Sequence, residues 1–369
     1  MPVRSSISIP SLLIAAAITV SLLAGCIEKM DPSEFTNVPT GGAIGDTSYV
    51  EKSSWTGIFN KPRTIIYGND QLFYVTDTKN NRVVMLNQAG QVLSTTGFVL
   101  HPYAVAQDNR LDLLVTAETV EPVTQDTIGV VLRYKLVAAN HNLQNASIDT
   151  VWREASRPKR RFVGIAAAPN DEFLIARDGP DNSSPVDPDC RIMRFKHQEL
   201  GGGVSTDRYL TPLSELQTGV GSSITSMNHV TGIATFPNSA DFILTQQADG
   251  VQYTAIWMVY STAGDFQGWL PKYDPSITTG VDFIVPNRFR NPVGVGIDRT
   301  RRDIFIVDAV QDSVVKFNSR GRFKPESFGR RTPGISIGHP GGVTVAENTL
   351  YLCDTENDRI VLYRLSTDN

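Results

Sequence analysis

Three of the chain's five histidines, His101, His229 and His339, share one register. Each stands just before a short apolar segment at the start of a similar stretch, and Lys61, Arg161 and Asn291 hold the same position in three further stretches. Neutral imidazole is a good ligand for Zn, Fe or Cu, so converging histidines would make a metal site. Joined with Lys61 and Arg161, the same ring would instead form a cationic mouth for an anion. A second cluster lies in DGPDNSSPVDPD, where Asp178, Asp181, Asp187 and Asp189 are dense enough to suggest Ca2+. Its spacing lacks the fixed Gly and terminal bidentate Glu of a twelve-residue calcium loop, and a solvated acidic loop is the competing reading. A third feature is Arg157-Pro-Lys159-Arg160-Arg161, an anion or partner patch, with a plain solvated charge run as its alternative. No G-x-S-x-G elbow, H-E-x-x-H pair or Gly-rich phosphate loop occurs, so Zn or Ca are the cofactors to consider and no residue pattern marks an enzyme.

Repeats position these residues. PRTIIYGNDQLFYVTDTKNNRVVMLNQAGQVL from Pro62 aligns with HPGGVTVAENTLYLCDTENDRIVLYRL from His339, and a third copy starts at Asn291. Weaker copies begin at His101, Arg161 and His229, giving six units of strand, turn, strand, loop, strand. Six four-stranded meanders arranged radially predict an all-β, six-bladed propeller over residues 46–369. The last unit ends at Leu365 with three strands, and an unpaired blade edge invites aggregation. The segment SYVEKSSWTGIF, Ser48 to Phe59, carries β-branched and aromatic residues and is predicted to supply the missing outer strand, closing the ring. Entry residues and the loops between second and third strands fall on one face of a propeller. The long stretches Glu118 to Ile128, Asp178 to Asp189 and Gln246 to Tyr253 would place binding residues there. The connection from 197 to 229, with Gly201 to Gly203, reads as irregular. Roughly 320 residues over six units is ~54 each, where a compact blade needs ~40–45, so the excess sits in the middle units.

The shared turns, Asp77-Thr-Lys-Asn80-Asn-Arg82-Val83 and Asp354-Thr-Glu-Asn357-Asp-Arg359-Ile360, resemble the NHL-repeat signature D-x-x-N-x-R-[IV], and Asp308 heads a copy that has lost the Asn and Arg. Asp and Asn side chains cap backbone N–H groups of such turns, and the Arg bridges to a carboxylate or carbonyl, a structural role. Against that background the histidine ring is similar to that of the α-amidating lyase propellers, which bind zinc through three histidines on repeated loops. His101, His229 and His339 stand in alternate units, 120° apart. Gluconolactonase-like propellers hold a divalent metal on acidic and Asn residues, and those positions have no one-to-one match here. Cys190 and Cys353 fall in units three and six, on opposite sides of the ring, and are expected to be unpaired.

The N-terminus carries Arg4, an apolar run from Ser11 to Leu23, and Leu23-Ala24-Gly25-Cys26. The run makes ~20 Å of helix against a ~30 Å bilayer core, so residues 1–25 read as a signal peptide. The sequence around Cys26 resembles the lipobox of bacterial lipoproteins, which implies acylation of Cys26, including a palmitate-type chain, and lipid anchoring. Ile27 stands where many inner-membrane lipoproteins have Asp, so the resemblance implies the outer membrane of a diderm cell. Residues 26–45 read as a flexible tether. A net charge of −4 gives no global positive field for nucleic acid. The expected function is a lipid-anchored envelope propeller that binds a protein, peptide or glycan through its loop-rich face. The alternatives are a metal-dependent lyase or lactonase at the channel mouth and a structural subunit of an envelope assembly.

Overall fold

The computed structural model describes residues 47–201 and 204–368. The signal peptide, Cys26 and the tether lie outside these. The chain enters in β1 (Tyr49–Trp55) and then builds blade one from β2 (Pro62–Tyr67), β3 (Phe73–Asp77), β4 (Arg82–Leu86) and β5 (Val92–Thr95). Blade two is β6 (Ala104–Gln107), β7 (Leu113–Val120), β8 (Thr127–Lys135) and β9 (Ser147–Arg153). Blade three is β10 (Arg161–Ala167), β11 (Glu172–Asp178), β12 (Arg191–Gly201) and β13 (Val204–Pro212). A short parallel pair, β14 (Gln217–Thr218) and β15 (Ser226–Met227), leads to blade four: β16 (Val230–Thr235), β17 (Phe242–Gln246), β18 (Ala255–Ser261) and β19 (Gly268–Pro271). Blade five is β20 (Pro292–Ile297), β21 (Ile304–Asp308), β22 (Ser313–Phe317) and β23 (Phe328–Gly329). Blade six holds β24 (Val343–Ala346), β25 (Thr349–Asp354) and β26 (Arg359–Leu365) and takes β1 as its outer strand.

Each blade is a four-stranded antiparallel sheet, and neighbouring inner strands touch in chain order until β24 meets β2 and closes the ring. Because blades cover one another on both faces, the middle strands are mostly apolar and buried along their length, and every residue of β3, β21 and β22 is buried. The core is correspondingly divided into six apolar clusters, one for each blade-to-blade interface. The connection from 197 to 229, expected to be irregular, instead contains most of the β12–β13 hairpin, paired as far as Gly201↔Val204. Likewise Glu118 and Ile128 are not loop residues: β7 and β8 continue their pairing through Glu118↔Gly129 to Val120↔Thr127.

Ring closure follows the expected strand. β1 pairs antiparallel with β26 from Tyr49↔Leu365 to Trp55↔Ile360, with a bulge between Glu51 and Ser53. Its aromatic ends reach both neighbours. Tyr49 packs on Phe305 and Phe328 of blade five, and Trp55 packs on Phe73 of blade one and Tyr351 of blade six.

Close approach of the inner strands requires glycine. Gly164, Gly232, Gly294 and Gly342 occupy one register, and a Cβ on Gly294 would lie 2.5 Å from the backbone oxygen of Gly341 in the next blade. Gly294→Ala is therefore expected to lower unfolding free energy by roughly 1–3 kcal/mol, measured by urea denaturation, since the obstacle is backbone and cannot rotate away.

Cys190 and Cys353 are free, fully buried thiols. Burial pushes the Cys190 thiol up to about 12 and the Cys353 thiol upward as well, so both act as small apolar core groups.

Candidate functional site

In blades one, five and six the turn that follows the second strand is built around a buried aspartate. Asp77 accepts the Asn60 N–H at 2.7 Å, Asn80 Nδ2 at 2.8 Å and Arg82 Nε at 2.8 Å, and Arg82 also donates to the Ile58 carbonyl. Asp354 repeats this with Gly338 N–H, Asn357 and Arg359, and Arg359 reaches the Ser336 carbonyl. Asp308, without Asn or Arg partners, caps the N–H groups of Arg290, Asn291, Val310 and Gln311 instead. These carboxylates are committed to the backbone and are not available to a ligand.

The same turns explain the polar ring at the blade entries. Lys61, His101, His229 and His339 all adopt left-handed φ, from 42° to 54°. Histidine is among the side chains that tolerate this region. In three cases the left-handed residue of the preceding blade's turn accepts the entry N–H: Asp358 for Lys61, Asn81 for His101 and Asp312 for His339, at 2.7–2.9 Å. The side chains then turn to local partners. His101 Nδ1 and Arg161 Nε share Glu118, at 2.7 and 2.5 Å, and Glu118 so bridges blades two and three. His229 faces Asp178 at 3.4 Å, Lys61 pairs with Glu356 at 3.2 Å, and Asn291 keeps a buried Oδ1 with no hydrogen-bond partner. Among the described residues no three His, Cys, Asp or Glu side chains gather as metal donors, so His101, His229 and His339 form no common metal centre. The ring is a bracket between blades.

Nor do the four aspartates make a calcium site. Asp187 and Asp189 are held by Arg160, at 2.9 and 2.6 Å, and Arg177 also binds Asp187 at 2.8 Å. Asp181 caps Ser183 within its own turn, and Asp178 is opposite His229. Arginine provides the positive charge that a cation would have provided. The basic run is spent in the same way: Arg160 is buried among Glu154, Asp187 and Asp189, Arg161 holds Glu118, and only Arg157 and Lys159 remain exposed. The sequence showed both charge runs but not that they neutralise each other, Arg160 and Asp189 being 29 positions apart with two strands between them.

The cavity lies elsewhere. Inner strands of all six blades surround a channel of about 400 Å³ that none of the six entry residues lines. Its wall combines Val163, Ile165, Val293 and Val295 with the hydroxyls of Thr64, Thr231, Thr235 and Thr344. Arg63 stands toward the entry face. Asn69, Asn109, Asn238 and Arg299 stand at the opposite end, in the turns that leave the inner strands. The wall contains no Asp, Glu, His, Cys or Lys. It offers the Arg63 and Arg299 guanidinium groups, the Tyr67 phenol, amide groups and main-chain groups to a ligand. Sequence reading missed this site because its residues look like ordinary strand positions. The one available signal was the repeated small residue before the strand's central Ile or Val, which marks the inner strands.

A six-bladed, ring-closed β-propeller with a small-molecule-sized central channel is thus the class of protein that fold and site define. No family model matches the chain, and no curated protein matches its sequence. Solved structures do match in fold. A protein of unknown function from Bacteroides thetaiotaomicron superposes with a TM-score of 0.55 at 9% identity, covering 87% of this chain and 76% of that one. An auxiliary nutrient binding protein from the same organism gives 0.53 at 11% identity, covering 83% and 69%. A putative gluconolactonase gives 0.51 at 11% identity, covering 87% and 93%. At these identities the likeness is one of fold.

Proposed function

We propose that this propeller is a ligand-binding module that takes a small molecule into its central channel and is held at the cell envelope through lipid on Cys26. The channel wall supports binding: amide and hydroxyl groups set among apolar residues suit a specific ligand. The nutrient-binding protein of similar fold fits this reading. In place of a protein, peptide or glycan on the loop-rich face, the ligand is what about 400 Å³ can hold, a small saccharide or metabolite or the end of a larger chain. The lipobox supports outer-membrane placement in a diderm cell; Cys26→Ser would then leave the protein in the soluble envelope fraction.

A thermal-shift screen of saccharides and small metabolites tests the binding reading, using the wild type and Ala167→Phe, which fills the channel from a half-exposed wall position. Ligands are expected to raise the wild-type melting temperature, by about 2.7 kcal/mol of stabilisation at a hundredfold excess over Kd, and to lose this effect in the filled variant. Equal shifts in both proteins would place binding outside the channel. Turnover of a lactone by metal-loaded protein would favour the lactonase reading instead.

A further inference from the structure

We propose that the channel is selective for a small organic anion whose carboxylate or phosphate head pairs with Arg63. This rests on the channel being the ligand site, and it adds the charge of the ligand.

Arg63 lines the cavity, and its guanidinium carbon sits 3.9 Å from the centroid of the Tyr103 ring. Stacking occupies one face of the group and leaves the N–H fork. That fork makes no hydrogen bond or ion pair with any described residue. The large buried arginines elsewhere behave differently: Arg133 binds Asp108 and Asp207, and Arg160 binds Glu154, Asp187 and Asp189. Arg63 itself is half-buried at the channel wall, so its guanidinium is partly desolvated with no carboxylate beside it, a cost that an arriving anion would offset. Burial accordingly holds Arg63 below the usual arginine range, with only Tyr103 opposing.

The fold itself does not need this charge. At the equivalent inner-strand position the other blades carry Tyr103, Val163, Thr231, Val293 and Gly341, and they close equally well.

The rest of the channel has the same sign. Arg299 stands at the far mouth with one N–H donated to Asn69 Oδ1 at 2.8 Å, and burial lowers its proton affinity too. Asp70, the carboxylate that acts on Arg299, is already bound by Tyr74 Oη at 2.6 Å and Gln107 Nε2 at 2.8 Å. A channel with two arginines and no lining acid in a chain of net charge −4 focuses positive potential where the ligand would lie. Planar oxyanions match a guanidinium fork through two parallel hydrogen bonds, and the Thr344 hydroxyl with the lining Asn amides suits a hydroxylated body such as a sugar acid or sugar phosphate, while Thr64, Thr231 and Thr235 donate to the Tyr103, Pro292 and Ala167 carbonyls and can only accept.

Titration calorimetry with glucuronate, glucose 6-phosphate and uncharged glucose tests the inference on the wild type, Arg63→Met and Arg63→Lys. The anionic probes are expected to bind the wild type more tightly than glucose. Arg63→Met should weaken them roughly 10- to 100-fold while leaving glucose unchanged, and Arg63→Lys should keep part of the difference. Ligand-free Arg63→Met is expected to melt at or above the wild-type temperature, because an unpaired cation has been replaced by an apolar chain. Glucose binding as tightly as glucuronate, with loss of both in Ala167→Phe, would sink the anion inference and leave the channel reading standing. Failure of every probe on the wild type would count against both. A lower melting temperature in Arg63→Met with anion affinity intact would make Arg63 a brace for Tyr103.

Discussion

Removing residues 48–55 is expected to abolish cooperative folding of the propeller. The segment supplies the outer strand of blade six, so its loss exposes the whole hydrogen-bonding edge of β26. It also strips Tyr49 from Phe305 and Phe328, and Trp55 from Phe73 and Tyr351. Trp55 alone is only 8% exposed, and Trp55→Ala should destabilise by about 3–5 kcal/mol. A domain stable by about 5–15 kcal/mol does not survive that loss together with an open ring. Circular dichroism of the truncated protein should show a broad, early transition, and Trp55→Ala should show a sharp transition at lower denaturant. If the truncated protein melts with wild-type sharpness and midpoint, the ring is closed by something other than β1.

Arg133→Met is the second large effect. Arg133, on β8 of blade two, is wholly buried. It binds Asp207 on β13 of blade three through Nε and the terminal nitrogen, at 3.0 and 2.7 Å, and it also binds Asp108 and lies 3.4 Å from Asp112. Burial opposes its charge, but Asp207 and Asp108 outweigh burial and hold it above the ordinary arginine range. Burial and the neighbouring Asp108 already push Asp112 up, so this carboxyl cluster has little tolerance for losing its cation. Substitution leaves Asp108 without this cation and Asp207 with only His197, at 2.8 Å, and is expected to cost about 3–5 kcal/mol, a melting-temperature drop of roughly 5–15 °C at neutral pH. Part of the loss should return at acid pH, where protonation of the stranded carboxyls removes their charge. A midpoint within a degree of wild type at pH 7 would show that the network contributes little.

Of the residues that sequence singled out for chemistry, most turned out to hold blades together. The histidine ring was visible as a register, but its left-handed backbone and its partners Glu118 and Asp178 come from neighbouring or distant strands. The acidic loop and the basic run were each legible as charge, and their mutual neutralisation through Arg160 and Arg177 was not. Arg63 drew no notice because a charged residue beside a proline looks like a surface position until the other inner strands are placed around it.

Sequence alone determined the repeat number, the blade register and the closing strand. These follow from a strand–turn–strand pattern that recurs six times despite insertions in the middle units, and from the rule that a three-stranded last unit must find a fourth. Tertiary structure alone decided which charges are paired and which ones face a cavity. Charge pairing is a matter of a few ångströms between segments far apart in the chain. The channel exists only where six inner strands meet, so no single strand's sequence records that it lines one.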